Sequence, residues 1–373
     1  MAAPATINVD SLLAPISEAA PAGVNLRLDV SPTSTYYRLK DARSGARAAE
    51  RRADAEGGVQ SLAADWQTIL SLAPKALVEK SKDLEVTAWF IEGLVRAHGF
   101  AGLRDGVHLA RGLLAQYWDN FFSLEDEDGL ATRLAPIAGL NGQGNEGTLI
   151  QPLRKVPVVT AGNDDITFAV YHYDQARTLS NVADPEVKAR REAGGEVSME
   201  RFTAAVNTSG GAFYISLIED IEGALQELEL LGQVLSERAG REAPRTSDIG
   251  GVLTTILNAI RSFAGELVAR AVAAAAAAQA SSDAQGDMAG NAGAAGMVMA
   301  SGGVSGQDDA LRILLQVAEY FKKFEPHSPI STSLEEIVRR ARMPFAELLA
   351  ELLPDTAAWR SALTSAGIKP PPE

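Results

Sequence analysis

Helix-period apolar spacing, interrupted by Gly and Pro, runs through most of this chain. In "SKDLEVTAWFIEGLVRAHGF", residues 81–100, Leu84, Ala88, Ile91 and Val95 recur at steps of four, three and four, which places them on one helix face. Ser81 can cap the start, and Gly99 can end the helix in a left-handed conformation. The next stretch, "AGLRDGVHLARGLLAQYWDN", repeats the spacing with Leu103, Val107, Ala110, Leu114 and Tyr117. Two amphipathic helices meeting at one glycine predict an antiparallel helical hairpin. A further helix in "ADWQTILSL" precedes it, broken or kinked by Pro74.

Residues 155–173, "KVPVVTAGNDDITFAVYHY", carry the one β signal, β-branched runs that flank a Gly-Asn-Asp-Asp turn. This predicts a β-hairpin, with Pro157 placing its first strand at an edge and His172 lying in its second. Two long helices come next in "GAFYISLIEDIEGALQELELLGQVLSERAG" and "SDIGGVLTTILNAIRSFAGELVARAVAAAAAAQA", with "REAPRT" as the turn between them. Residues 281–307 are Gly/Ala/Ser-rich with almost no charge, the composition of a flexible linker.

The last segment returns to helices. Leu311, Leu314, Leu315, Ala318 and Phe321 line one face, with Asp308 and Asp309 at the positive end and Lys322 and Lys323 at the negative end. Thr332 with Glu335, or Ser333 with Glu336, offers a capping box for a second helix through Arg342. Pro344 opens a third, striped by Phe345, Leu348, Leu349 and Leu352. The fold class expected is mainly α: a multi-domain helical protein with helical hairpins, one small β-hairpin in the middle and a small all-α C-terminal domain. Residues 1–150, 151–280, 281–307 and 308–373 are read as N-terminal domain, middle region, linker and terminal domain.

Composition narrows the function. The 373 residues suffice for several domains, and the low aromatic content with abundant Ala and Leu favours helices. A net charge of −14 repels nucleic acid and anionic lipid, so either would need a local basic patch. Arg47, Arg51 and Arg52 in "RLKDARSGARAAERRADAEGG" alternate with Glu50 and Asp54 and lack interleaved aromatics, so this reads as a solvated helix or loop. Cysteine is absent, which excludes disulfides and thiolate chemistry. The N-terminus lacks the signal-peptide pattern, and the alanine-rich run from Ala271 falls far short of the ~20 residues that span a bilayer. The expectation is a cytoplasmic protein without membrane insertion.

Catalytic chemistry is sparse. "GQGNEG", Gly142 to Gly147, spells G-x-G-x-x-G, but a dinucleotide site needs a strand before it and a helix after it. Here helix or turn precedes the motif and Pro152 interrupts the stretch after it, so it reads as a glycine-rich connection. The acidic run "LEDEDG" fails as a calcium loop. Aligning Gly129 with the loop glycine puts Leu124 and Ala135 where carboxylates are required. No P-loop, H-E-x-x-H helix or G-x-S-x-G elbow is present. His98 and His108 lack ligand spacing, and "FEPHSPI", residues 324–330, sets His327 in a proline-bounded corner. No catalytic residue, cofactor or metal is expected.

Three blocks carry a resemblance. "LLAPISEAAPAGVNLRLD" at 12–29, "SKDLEVTAWFIEGLVRAHGFAGLRDGVHLARGLLAQYWDNFF" at 81–122 and "ATRLAPIAGLNG" at 131–142 resemble the ImpA-type N-terminal domain of the TssA family of type VI secretion proteins. The C-terminal "FEPHSPISTSLEEIVRRARMPFAELLAELLPD" resembles the short C-terminal domain of one TssA class, with its E-P-x-S-P opening, R-R-A helix and F-x-E-L-L helix. The resemblance implies a non-enzymatic assembly factor that forms a high-order ring through its C-terminal domain. It further implies work with the baseplate, the contractile sheath and the Hcp tube and, in some members, the membrane complex. Residues 308–373 alone would have a marginal core, which packing against copies would enlarge. Arg339 and Arg340 then serve intersubunit ion pairs or a solvated face. Phe345, Leu348 and Leu352 form core with a shared interface edge. The competing readings are a helical adaptor that binds peptides outside secretion and, third, a nucleotide-binding enzyme.

Overall fold

The computed structural model describes residues 4–56, 64–123, 129–143, 145–161, 166–286, 307–324 and 330–341, with Met343, Leu348 and Glu351. The chain divides into two compact units, Met1–Ala278 and Gln279–Glu373. In the first, α1 (Val9–Leu13), α2 (Thr35–Glu56) and α3 (Ala64–Glu79) precede α4 (Leu84–Tyr117). The helix α3 runs on through Pro74 rather than breaking there, because Ile69, Ala73, Ala76 and Leu77 bury one continuous face against the core. Packing outweighs the one helical hydrogen bond that proline removes.

Helical through its length by hydrogen bonding, α4 nevertheless folds back on itself. Gly99 sits at φ 58°, ψ −130°, a conformation that glycine adopts without steric cost. A straight helix of 34 residues would be about 50 Å long. Yet the N–H of Leu84 donates to the carbonyl of Phe122 at 2.8 Å, and that of Phe122 to Lys82 at 2.9 Å. The two ends therefore meet, and the predicted antiparallel hairpin is present with Gly99 at its turn. Its arms touch closely. A Cβ on Gly102 would lie 2.2 Å from the Leu94 carbonyl oxygen. Leu84, Ile91, Leu94, Leu103, Leu109 and Leu114 are all buried between the arms and their neighbours.

Next come α5 (Leu130–Asn141), α6 (Ile150–Lys155) and the antiparallel strands β1 (Pro157–Ala161) and β2 (Ile166–Ala169), paired with a register shift between Pro157 and Val159. The second strand stops at Ala169, so His172 lies in helix α7 (Val170–Ser180) and not in a strand. The imidazole decides this locally. Its Nδ1 accepts the Ala169 N–H at 3.0 Å, supplying an N-cap that a strand would not use. Two further helices that the period reading passed over, α8 (Pro185–Ala193) and α9 (Met199–Ser209), lead to α10 (Gly211–Ala239) and α11 (Ser247–Gly286). The latter two are the predicted long pair.

Both long helices join one core that extends from Leu12 to Ala264, with α10 packed along α4. Asn141, at the end of α5, accepts the N–H groups of Asp248 and Ile249 at 2.9 Å each and so caps α11 from another element. By length and composition Ser247–Ala276 could cross a membrane, but Ile249, Leu253, Ile256, Ile260 and Ala264 are buried in this core. The glycine-rich "GQGNEG" connects α5 to α6, with no strand before it. α11 extends to Gly286, into the stretch read as linker. The acidic run 124–128 and the corner 325–329 lie outside the described residues.

In the second unit, α12 (Gln307–Phe324) packs against α13 (Ile330–Ala341). Leu311 and Ala318 of α12 and Val338 of α13 are buried. The second helix begins at Ile330, ahead of the predicted cap at Thr332 or Ser333, and Ser331 is itself buried within its first turn. The third predicted helix falls outside the described residues, save that Leu348 and Glu351 are helical.

Candidate functional site

Among the described residues, no group of three or more His, Asp or Glu side chains is placed to hold a metal ion. A shallow groove of about 300 Å³ between α1 and α3 is lined by Ile7, Leu12, Pro74, Val78 and Phe90, with Lys75 and Glu79 beside them. It offers mainly apolar contact, with one cation and one carboxylate at its side. What the structure does build from charged side chains is a frame around the α4 hairpin.

At the hairpin's open end, Asp83 caps the first arm, accepting the N–H groups of Glu85 and Val86 at 2.9 and 3.0 Å. Its side chain is fully buried, and Arg27 reaches it at 2.7 Å and Glu85 at 2.6 Å. The Tyr36 hydroxyl donates to the same Glu85 oxygen at 3.0 Å. Burial pushes the Tyr36 phenol up to about 12, and the Glu85 charge adds to this. Burial likewise raises Asp83 above the usual carboxylate range even though Arg27 pulls it down. This clamp fixes the loop bearing Val24, Leu28 and Val30, which are exposed at 60%, 77% and 77%. Three apolar side chains are thus displayed on a rigid mount.

One residue earlier, Lys82 is wholly buried without a carboxylate. Its ammonium donates to the carbonyls of Leu12 at 2.7 Å and Leu77 at 2.6 Å, both in helix last turns, where cations are favoured. Burial still lowers its pKa to about 8. The folded protein thus releases this proton before the unfolded chain does, and stability rises with pH between about 8 and 10.5. Measured by urea unfolding, the gain from neutral pH to about pH 9.5 is expected to reach roughly 2 kcal/mol and to vanish in Lys82→Met. Above pH 10 the raised tyrosines Tyr36, Tyr117 and Tyr214 reverse the slope, since the unfolded chain ionises first. A flat profile between pH 8 and 9.5 would contradict the assignment.

Along the hairpin, charged pairs tie each arm to a neighbour. Arg43 of α2 reaches Glu92 at 2.6 Å, and Thr148 donates to the same oxygen at 2.9 Å. Glu50 accepts from Arg96 and from the Trp66 indole. Arg43 and Glu50, within the stretch read as a solvated helix or loop, therefore join a partly buried network, while Arg51, Arg52 and Asp54 are exposed on the helix. On the second arm, Arg104 bridges Asp105 and Asp220 at 2.7 and 2.6 Å, while His108 and Arg111 share Glu227 of α10. His108 is thus hydrogen-bonded to Glu227 across to α10, and His98 is exposed beside the turn. These pairings join residues up to 119 positions apart, and no local pattern in the chain announces them.

Two of the residues expected at an oligomer interface, Arg339 and Arg340, both pair within the chain. Arg339 reaches Glu336 at 2.7 Å and Glu351 at 2.6 Å; Arg340 reaches Glu336 at 3.0 Å and Glu351 at 2.8 Å. The Arg339 hydrogen bond holds Glu336 down to about 2. Leu348 is half-buried, whereas Phe345 and Leu352 lie outside the described residues. Val317 and Ile337 remain exposed at 38% and 52%.

Comparison with known proteins places this architecture. Residues 13–142 match the family described as ImpA, N-terminal, type VI secretion system. The type VI secretion system component TssA1 of Pseudomonas aeruginosa is 27% identical over 359 residues, covering 94% of this chain and 96% of that protein. Among solved structures, the N-terminal domain including the conserved ImpA_N region of the TssA component from Burkholderia cenocepacia is similar at a TM-score of 0.58 and 27% identity. That likeness covers 70% of this chain and 94% of the other. The resemblance read from three sequence blocks therefore extends along nearly the whole chain.

Proposed function

We propose that this chain, with an ImpA N-terminal domain at residues 13–142, is a non-enzymatic type VI secretion assembly protein of TssA type. In this reading it forms a ring that works with the baseplate and helps start or organise the sheath and Hcp tube. The observation that carries it is the end-to-end likeness to TssA1, over 94% of this chain. The folded framework supports it too. Charged side chains around α4 are committed to one another, as in a scaffold, and the terminal unit exposes apolar side chains on paired helices.

Ring formation rests on residues 308–373. Light scattering on a chain ending at residue 306 is expected to show collapse from a large assembly to a small species. An unchanged large mass would refute the assignment of the ring to this segment. Pull-down with sheath and baseplate proteins separates the assembly reading from that of a peptide-binding adaptor.

A further inference from the structure

Within the charged frame, Arg47 is a partly buried cation for which the described residues supply no hydrogen bond or ion pair. On α2, Arg43, Arg47 and Arg51 follow one another at four-residue steps and so share a helix face. Arg43 is bound to Glu92, and Arg96, from α4, is bound to both oxygens of Glu50. Glu50 also accepts the Trp66 indole, and the bonded oxygen of Glu92 also accepts Thr148. Both oxygens of Glu50 are thus taken by Arg96, while Glu92 is bonded through one oxygen only and its Oε2 is buried without a hydrogen-bond partner. Arg47 lies between these groups, half-buried, and forms neither a hydrogen bond nor an ion pair among the described residues. Burial lowers its pKa first, and Arg43, Arg96 and Arg51 lower it further against the single opposing pull of Glu92.

We propose that Arg47 is the anchor of an oxyanion-binding site on the α2–α4 face, taking a carboxylate or phosphate group. The physical case is one of excess. Four guanidinium groups face two carboxylates, so the cluster carries about two uncompensated positive charges within a chain of net charge −14. Holding an unpaired cation partly out of water beside three like charges opposes folding. A bound oxyanion removes that opposition. The planar fork of Arg47, with five donors free, suits bidentate contact with two oxygens. Arg43 and Arg96 add to the attraction without moving, since their own pairs already fix them. The acidic character of the rest of the chain keeps such a site local.

The sign of a single substitution separates this from a structural role. Arg47→Gln is expected to leave thermal stability unchanged or raise it in low-phosphate buffer, because it removes repulsion and breaks no bond. Inorganic phosphate, compared with sodium chloride at equal ionic strength, is expected to raise the melting temperature of the full-length protein by about 2 °C or more. Arg47→Gln should abolish that rise, while Arg51→Gln should retain most of it. Calorimetric titration is expected to show affinity falling at least ~10-fold in Arg47→Gln, as for loss of a charged hydrogen bond. A hexaglutamate peptide run in parallel tells the sources apart: tighter binding than phosphate assigns the site to a carboxylate on a protein, and weaker binding to free phosphate. Destabilisation by Arg47→Gln without ligand would overturn the proposal. So would an equal response of wild type and variant, or no binding of either probe.

Discussion

Arg27→Met is expected to destabilise the first unit by about 3–5 kcal/mol, the range for stripping one partner from a buried ion pair. Asp83 is fully buried and Glu85 partly so, and Arg27 is the cation bonded to both. Methionine preserves much of the volume but leaves two carboxylates facing one another out of water. The loss should depend on pH. With Arg27 gone, Asp83, which burial already raises, loses the cation that pulls it down and favours the protonated form still more strongly in the fold than in the unfolded chain. Stability is then lost as pH rises through its raised pKa, so the deficit is larger at pH 8 than at pH 5. Asp83→Asn should cost less, because an asparagine oxygen can still cap Glu85 and Val86. Urea unfolding at the two pH values provides the measurement. A loss below about 1 kcal/mol, or one equal at both pH values, would show that the triad is not what holds the 23–30 loop and the α4 start together.

Gly102→Ala should cost about 3 kcal/mol, at the upper end of what one added carbon does in a packed core. The new Cβ would stand 2.2 Å from the Leu94 carbonyl oxygen and 3.1 Å from the His98 Cβ. The first obstacle is backbone, which cannot swing aside as a side-chain tip can, so the arms must separate. Their separation disturbs Ile91, Leu94 and Leu103, all essentially inaccessible. Gly139, where an added Cβ meets nothing within 4 Å, supplies the control. Its alanine variant should be neutral or slightly stabilised, since it lies within helix α5. Equal melting temperatures for the two variants would contradict the tight hairpin.

The hairpin was legible because its signal is local: a 3.6-residue apolar period on each side of one glycine. The long pair α10 and α11 was legible for the same reason, and β1 and β2 were legible from β-branched runs on either side of a turn. The errors arose where a residue answers to something not adjacent. His172 looked like a strand residue between two tyrosines, yet its ring reaches back to the Ala169 N–H at the start of its own helix. Pro74 looked like a break, yet α3 is held on both sides of it by buried side chains. The polar sequence of α8, which buries nothing, has no apolar period to read.

The charged frame shows the division most clearly. Sequence by itself determined that the chain is mainly helical, where its principal helices turn, and that three blocks resemble an ImpA-type domain. Periodicity and glycine act over one or two turns, so they can be read in order along the chain. Only the tertiary structure decided that Arg27 closes on Asp83, that Arg104 spans to Asp220, and that Asn141 caps α11. Only it shows Arg47 partly buried and, among the described residues, without the partners that Arg43 and Arg96 have, although all are spelled alike. Ionic contacts are set by which faces meet after the core has packed, and a solvated charge and a buried one are spelled identically.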